Sequence, residues 1–261
     1  MLEPIQYLLG GISGLLVGLL LSMFGGGGSI VAVPLMVYVV GVKVPHMAIG
    51  TSALAVATNA ATSLIGHARI GTVKWQCAGL FSTAGMLGAY AGSSFGKVVD
   101  GEQLLALFAL LMLVVGTLML LNRRLPDREF VTCTGDRLFG ILLSGLCVGA
   151  VSGFFGIGGG FLIVPALIAA TGMPILNAIG SSLLAVTTFG LTTAVNYTAS
   201  GLIDWPLAGA FIIGGIAGGF FGKRIAVRLA IRRGTLNTLF AVLIYIVAIY
   251  MLTAHLVPKM R

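Results

Sequence analysis

A glycine-rich break interrupts this apolar chain twice, at positions 131 residues apart, and it constrains the fold more than any other feature. The first break reads FGGGGS from Phe24, and the second reads FGIGGG from Phe155. A Val-Pro pair follows each break at the same spacing. Glycine runs weaken a helix, and hydrocarbon offers no water to the backbone groups that a broken helix leaves free. Two equivalent breaks therefore indicate a use for irregular backbone within a membrane, most often a binding site for a solute that crosses it.

The composition is that of a polytopic membrane protein. Hydrophobic residues make up 58% of the chain and charged residues 8%, and the mean hydropathy is +1.09. So few polar residues cannot cover a soluble core of this size. The net charge is +8, and the basic residues lie in short loops between apolar segments. There they set the orientation of the chain in the membrane rather than bind nucleic acid. The three cysteines show no metal-ligand spacing, so the sequence predicts no metal site and no cofactor.

Ten apolar segments are expected, five on each side of a polar linker. The second segment of each half has only 13 or 11 residues, which reach about 18 Å of a hydrocarbon core of about 30 Å. We divide the chain into an N-terminal membrane repeat (1–122), a linker (123–137) and a C-terminal membrane repeat (138–261). The predicted segments are Ile5–Phe24, Ile30–Val42, Pro45–Gly66, Trp75–Gly96, Gln103–Asn122, Leu138–Phe155, Phe161–Thr171, Pro174–Ser200, Pro206–Gly222 and Leu236–Leu256.

The two halves are internal repeats. The pattern SGLxVG occurs at Ser13 and again at Ser144, and AIGTS at Ala48 matches AIGSS at Ala178. Such matches, kept in order across each half, indicate duplication rather than coincidence. The sequence thus predicts an all-α polytopic membrane protein with two homologous repeats and eight to ten membrane segments in total. Its short Gly/Pro-interrupted helices are expected to meet near the midplane.

The positive charges favour an inverted relation between the repeats. If every segment crosses, 11 of the 15 Lys and Arg residues lie on one side, whereas short segments that fold back would give 8 and 7. The positive-inside rule favours the first arrangement. Five crossings per half invert the second repeat, so both termini are expected outside and the linker in the cytoplasm.

Neutral polar side chains, rather than acids, mark the candidate site. No acid lies in the middle of any apolar segment, which argues against a cation or proton carrier that relies on a buried carboxylate. Thr51, Thr58 and Thr62 fall on one helical stripe, and the second half repeats this pattern. Neutral donors beside the N-terminal ends of short helices suit an anion. Alternatively, these hydroxyls bond back to their own helices and serve packing.

These observations give a set of candidate residues at the breaks, on the stripes and just beyond the third segment. His67 and Arg69 are read as an anion-attracting vestibule or, alternatively, as an interfacial snorkelling pair. The predicted substrate-binding residues are Gly25, Gly26, Gly27, Gly28, Ser29, Thr51, Ser52, Thr58, Asn59, Thr62, Gly156, Gly158, Gly159, Gly160, Ser181, Ser182, Thr188 and Thr192.

Three glycine stripes predict close helix packing. Glycines recur every fourth residue from Gly14, from Gly88 and from Gly214. Small residues at this spacing let two membrane helices approach closely, within one protomer or between two.

The duplicated FGxGG[GS]…VP motif, the AIG[TS]S segment in each half and the length resemble the sulfite exporter TauE/SafE family, also called the toluene sulfonate uptake permease group. The resemblance covers nearly the whole chain. It implies transport of small sulfur-containing or organic anions, such as sulfite, across a bacterial inner membrane. Ser29 stands where the second repeat has Gly160, and Gly26 where it has Ile157, so the two halves of a site are expected to be unequal.

The leading interpretation is a secondary carrier of a small anion in the lipid bilayer, not an enzyme. No nucleotide-binding GxxxxGK[ST] motif is present, so ATP is not the direct driver, and coupling to a proton or other ion stays open. The alternatives are a carrier of a metal cation or a neutral metabolite and, less favoured, a membrane-embedded enzyme. The sequence leaves the anion, the direction of transport and the oligomeric state open.

Overall fold

A computed structural model describes residues 3–121, 138–158, 160–229 and 235–256, and every regular element in these ranges is helical. The predicted linker, 123–137, lies outside them. The second element, α2, is composite: a 3₁₀ helix Gly25–Val31, a single α turn Ala32–Pro34 and a π turn Leu35–Val39. The others are α1 Pro4–Phe24, α3 Pro45–Arg69, α4 Trp75–Gly96, α5 Gly101–Leu121, α6 Leu138–Phe155, α7 Gly160–Thr171, α8 Ile175–Thr198, α9 Trp205–Leu229 and α10 Thr235–Leu256.

The all-helical membrane fold predicted from the sequence is confirmed. Among the described residues, five helices are long and apolar enough to cross a membrane, and three shorter apolar helices accompany them. The long ones are Pro4–Val39 (counted through the break), Pro45–Arg69, Leu138–Phe155, Ile175–Thr198 and Trp205–Gly222. The short ones are Gly101–Thr117, Gly160–Thr171 and Ile244–Thr253.

The first short segment begins earlier than the sequence predicted. The expected start was Ile30, but the glycines themselves are wound into the 3₁₀ part of α2. The Ser29 hydroxyl donates to the Gly26 carbonyl at 2.8 Å, and the Ala32 N–H donates to the Ser29 carbonyl. A 3₁₀ turn closes its hydrogen bonds over three residues, so it satisfies the backbone of a segment too glycine-rich for an α-helix.

Helices α3 and α8 cross in opposite directions at the centre of the protein. Gly50 of α3 packs against Tyr197 near the end of α8, whereas Ala57, further along α3, packs against Gly190, earlier in α8. About half or more of each helix is buried, and the core around them draws apolar side chains from both halves. A second buried cluster likewise includes residues of both halves, so the two repeats are packed into each other.

Two glycine-rich contacts join the halves. In the first, Gly14 and Gly18 of α1 lie so close to Phe211 and Gly215 of α9 that a Cβ on either glycine would collide with backbone. In the second, α4 contacts α6 in the same way, with Gly92 against Ala150. Both pairs run parallel, since the contacting residue numbers rise together. The three glycine stripes thus pack helices within one protomer.

Each of three helices in the first half runs opposite to its counterpart in the second half. Thr51 of α3 lies beside Asp204, just before α9, and Ser63 of α3 lies beside Gly219 of α9, so α3 runs parallel to α9 and hence to α1. On the other side, α4 runs parallel to α8, since Gly85 meets Phe189 and Ser93 meets Asn196. Counterparts α1 and α6, α3 and α8, and α4 and α9 are therefore antiparallel.

The contact between α4 and α6 predicts an asymmetry between two glycines of one helix. A Cβ on Gly92 would collide with the Ala150 carbonyl, whereas a Cβ on Gly79 would meet nothing within 4 Å. We expect Gly92→Ala to destabilise the fold by about 1–3 kcal/mol through overpacking. Gly79→Ala should be neutral or slightly stabilising, because alanine favours helices. Thermal unfolding of the detergent-purified protein measures both, and equal effects would contradict the assigned contact.

Candidate functional site

The two glycine breaks contact each other. Helix α1 ends at Phe24, and Gly25 turns the chain with a φ of 63°, a left-handed conformation that favours glycine. A Cβ on Gly26 would collide with the Cα of Gly160, and a Cβ on Gly160 would collide with the backbone of Gly26. The N-terminal ends of α2 and α7 therefore lie side by side, as the sequence led us to expect for helices that meet inside the protein.

The central helices enclose this contact. Gly25 packs against Ile179 and Ser182 of α8, and Gly156 packs in the equivalent way against Ile49 of α3. Gly158, with a φ of 68°, lies between both helices, since a Cβ there would be 3.3 Å from Val186 and 3.4 Å from Val56. The second break thus lies against the middle of α3 and α8.

Hydrogen bonds satisfy much of the backbone at the breaks. The Gly26 N–H donates to the Ser182 hydroxyl at 3.0 Å, and that hydroxyl donates to the Ile179 carbonyl at 2.8 Å. Ser52, the counterpart of Ser182, donates to the Ile49 carbonyl at 2.9 Å. Gly27, Gly28 and Ser29 are buried with them. Gly159, also predicted to bind substrate, lies outside the described residues.

Thr51 and Ser181 connect the halves at equivalent points. The Thr51 hydroxyl accepts the backbone N–H of Asp204 at 3.0 Å, and the Ser181 hydroxyl accepts that of Lys74 at 2.9 Å. Each bond holds the start of α9 or α4 against the central helix of the other repeat. Both side chains are fully buried, so the structure gives these two predicted site residues a role in joining the repeats.

The remaining hydroxyls of the two stripes bond to their own helices. Thr58 and Thr62 donate to the carbonyls of Leu54 and Asn59 at 2.9 and 2.8 Å. Thr188 and Thr192 donate in the same way to Ala185 and Thr188, at 3.0 and 2.8 Å. These four hydroxyls are half-buried, and each retains lone pairs. Their donor hydrogens are engaged by backbone, as the packing alternative predicts.

The residues of the predicted vestibule differ in exposure. His67 is fully buried and bonds to the Thr72 hydroxyl at 3.1 Å and the Ser22 carbonyl at 3.3 Å, whereas Arg69 is exposed. Arg69 lies on a crevice of about 380 Å³ between α1, α3 and α9. Its lining is Ser22, Thr62, Ser63, Ile65, Gly66, Arg69, Ile216, Gly219 and Phe220. A cation and three hydroxyls thus lie on one crevice at the C-terminal end of α3.

Comparison with known proteins identifies the family. The sequence profile described as sulfite exporter TauE/SafE matches residues 10–251. The chain belongs to this family. A Xylella fastidiosa protein named "Probable membrane transporter protein" is 53% identical over 241 residues, 92% of each chain. A Haemophilus influenzae protein of the same name is 30% identical over 254 residues, 91% of this chain and 95% of its own. No solved structure matches. This TauE/SafE protein is thus an integral membrane transporter.

At the opposite end of the bundle, this TauE/SafE protein has a polar cluster that the predicted site did not include. The Lys97 ammonium donates to the side-chain and backbone carbonyls of Asn196, at 2.8 and 3.1 Å, and to the Ser200 hydroxyl at 2.8 Å. The Asn196 amide donates in turn to Ser93 and Ser94. Two features of the sequence indicated it: Asn196 is an amide inside an apolar segment, and it stands where the first repeat has Gly66.

The connecting role of Thr51 predicts an effect on stability. Thr51→Val keeps the shape of the side chain but leaves the Asp204 N–H without its acceptor, which should cost about 1 kcal/mol or more. Thr58→Val, on the same helix, removes only a bond within α3 and should cost less. Thr51→Ser should restore stability, because serine supplies the same acceptor. Thermal unfolding distinguishes these outcomes, and equal losses in the two valine variants would argue against the interaction across the repeats.

Proposed function

We propose that this transporter carries small anions, sulfite and related sulfur-containing or sulfonate anions in particular, by alternating access around the contact of the two glycine breaks. The observation that carries the proposal is the contact between Gly26 and Gly160 at the beginning of α2 and α7. Helix N-termini direct N–H groups and the positive end of the helix dipole toward a ligand, which favours negative charge. Arg69 on the crevice adds a positive charge where an anion would enter.

The proposed mechanism includes two repeats that are inverted across the membrane. Three pairs of counterpart helices run in opposite directions, which is the relation that an in-plane pseudo-two-fold axis produces. The charge bias supports the same arrangement, since 11 of 15 Lys and Arg residues fall on one side. We place that side, with Arg69 and the linker, in the cytoplasm, and the termini outside, in a bacterial inner membrane.

Alternating access is supported by the difference between the two ends of the central helices. The crevice at the C-terminal end of α3 is open between α1, α3 and α9. The equivalent place lies between α6, α8 and α4, and there Asn196 and Lys97 bond α8 to α4. An open crevice at one end and a hydrogen-bonded contact at the equivalent place of the other end are what one state of an alternating-access cycle would have.

A flux measurement tests this proposal. Gly158→Leu would place a branched side chain between Val56 and Val186 and force a left-handed conformation on a non-glycine residue, which costs of order 1 kcal/mol or more. We expect sulfite flux into proteoliposomes to fall at least tenfold. Gly79→Leu, which meets open space, is the matched control and should retain flux. Size-exclusion chromatography and thermal unfolding verify that both variants fold.

The outcome separates the alternatives. Flux of sulfite and methanesulfonate by the wild type, lost in the folded Gly158→Leu variant, supports an anion path at the breaks. Near-normal flux in that variant would show that the breaks serve the fold alone. Flux of a divalent cation without anion flux would favour the metal-cation alternative.

A further inference from the structure

Asn59 lies in an unusual layer of the contact between α1, α3 and α9. Its side-chain amide packs directly on Gly215 of α9, and Gly215 in turn contacts Gly18 of α1. The two glycines, one on α1 and one on α9, thus leave room for the amide that projects from the middle of α3. One turn further along the helices, the next layer consists of Ser22, Ser63 and Gly219.

The Asn59 side chain is fully buried, yet neither its nitrogen nor its oxygen has a hydrogen-bond partner among the described residues. A carboxamide carries two N–H donors and an oxygen with two lone pairs, and burying them unpaired opposes folding. In a membrane-spanning helix the penalty is harder to relieve, because lipid supplies no partner. Packing alone therefore does not explain an amide at this position.

The equivalent position of the second repeat carries an apolar side chain. The AIG[TS]S segments set an offset of 130 residues between α3 and α8, which pairs Asn59 with Phe189. The Phe189 ring packs on Gly85 of α4, as Asn59 packs on Gly215, and Gly85 in turn contacts Gly149. The space left by two glycines is therefore filled by an aromatic ring in one repeat and by a smaller, unpaired amide in the other.

The amide lies just below the crevice. Ser22 and Ser63 line the crevice and hydrogen-bond to each other at 2.8 Å, which uses one of their two hydroxyl hydrogens. Asn59 precedes Ser63 by four residues, so it lies on the same face of α3, one turn deeper. From its exposed end inward, this side of α3 presents the Arg69 guanidinium, the serine pair and the buried amide.

We propose that Asn59 is a substrate-binding residue at the inner end of this crevice, where its N–H groups and the free hydroxyl hydrogen of the serine pair hold a small oxyanion. The inference rests on the proposed function and names the residue that selects the ligand. Recognition comes from neutral donors, while the positive charge of Arg69 stays near the entrance. The site belongs to the first repeat, because Phe189 fills the equivalent position of the second.

Anion-dependent thermal unfolding of the purified full-length protein tests this, with sulfite and methanesulfonate as probes, since a ligand that binds the folded state raises its apparent stability. Asn59→Leu has nearly the same volume and removes the unpaired polar atoms. Without anion, its unfolding temperature should equal or exceed that of the wild type. Its apparent Kd for sulfite should be at least tenfold weaker. Asn59→Asp should also lose binding, because it places a carboxylate, with no N–H donor, beside the anion.

Thr193→Val is the matched control. Thr193 is the counterpart of Ser63, and its buried hydroxyl, like the Asn59 amide, has no partner among the described residues. Thr193→Val therefore also removes an unpaired buried polar group, but in the other repeat. It should keep the sulfite response of the wild type. If Asn59→Leu fails to fold, Asn59→Ala, which only opens space, takes its place, and it should show the same loss of sulfite binding.

The outcomes separate this inference from the proposed function. A wild type stabilised by the anions, with an Asn59→Leu variant whose Kd stays within twofold, overturns the role of Asn59 and leaves an anion transporter. If no tested anion stabilises the wild type, and the wild type carries none of them in the liposome assay, both the inference and the proposed function are overturned. An equal loss of binding in Thr193→Val and Asn59→Leu would also overturn the inference, since the effect would then not be specific to the crevice.

Discussion

Irregular backbone inside a membrane can persist only where protein groups replace the missing water. Both glycine breaks meet this condition. The Gly26 N–H donates to the Ser182 hydroxyl, while the Gly156 and Ile157 N–H groups donate to carbonyls of the preceding helix at 3.0 and 3.3 Å. The Gly26 N–H finds its partner on α8, so the first break must lie deep inside the bundle, against a central helix.

The glycine-rich contacts between the repeats make that burial possible. Helix α1 packs on α9 and α4 packs on α6, so the first helix of each half contacts the fourth helix of the other. These contacts, together with the bonds from Thr51 and Ser181 to backbone of the opposite repeat, draw both breaks to one place. The symmetry is incomplete at two places. Asn59 packs on Gly215 where its counterpart Phe189 packs on Gly85, and Asn196 stands where the first repeat has Gly66.

Features that depend on local sequence could be predicted. The apolar segments, the duplicated breaks and the glycine stripes are visible without any contact, because each follows from composition or spacing along one helix. The boundaries were less accurate: the glycines of α2 form a 3₁₀ helix, which depends on the Ser29 hydroxyl and on packing against Gly160. The partners of Thr51, Ser181 and Lys97 lie about 100 residues or more away, so spacing alone could not identify these bonds.

The central claim is that the C-terminal ends of α3 and α8 lie on opposite sides of the membrane. Arg69, which lines the crevice, and Ser200, beside Lys97, are both exposed and lie at equivalent ends of the two repeats. Single cysteines at these positions, with Cys77, Cys133 and Cys147 replaced by serine, can be labelled with a membrane-impermeant thiol reagent. The account predicts that the Ser200→Cys variant is labelled in intact cells and the Arg69→Cys variant only after permeabilisation. Labelling of both from the same side would contradict it.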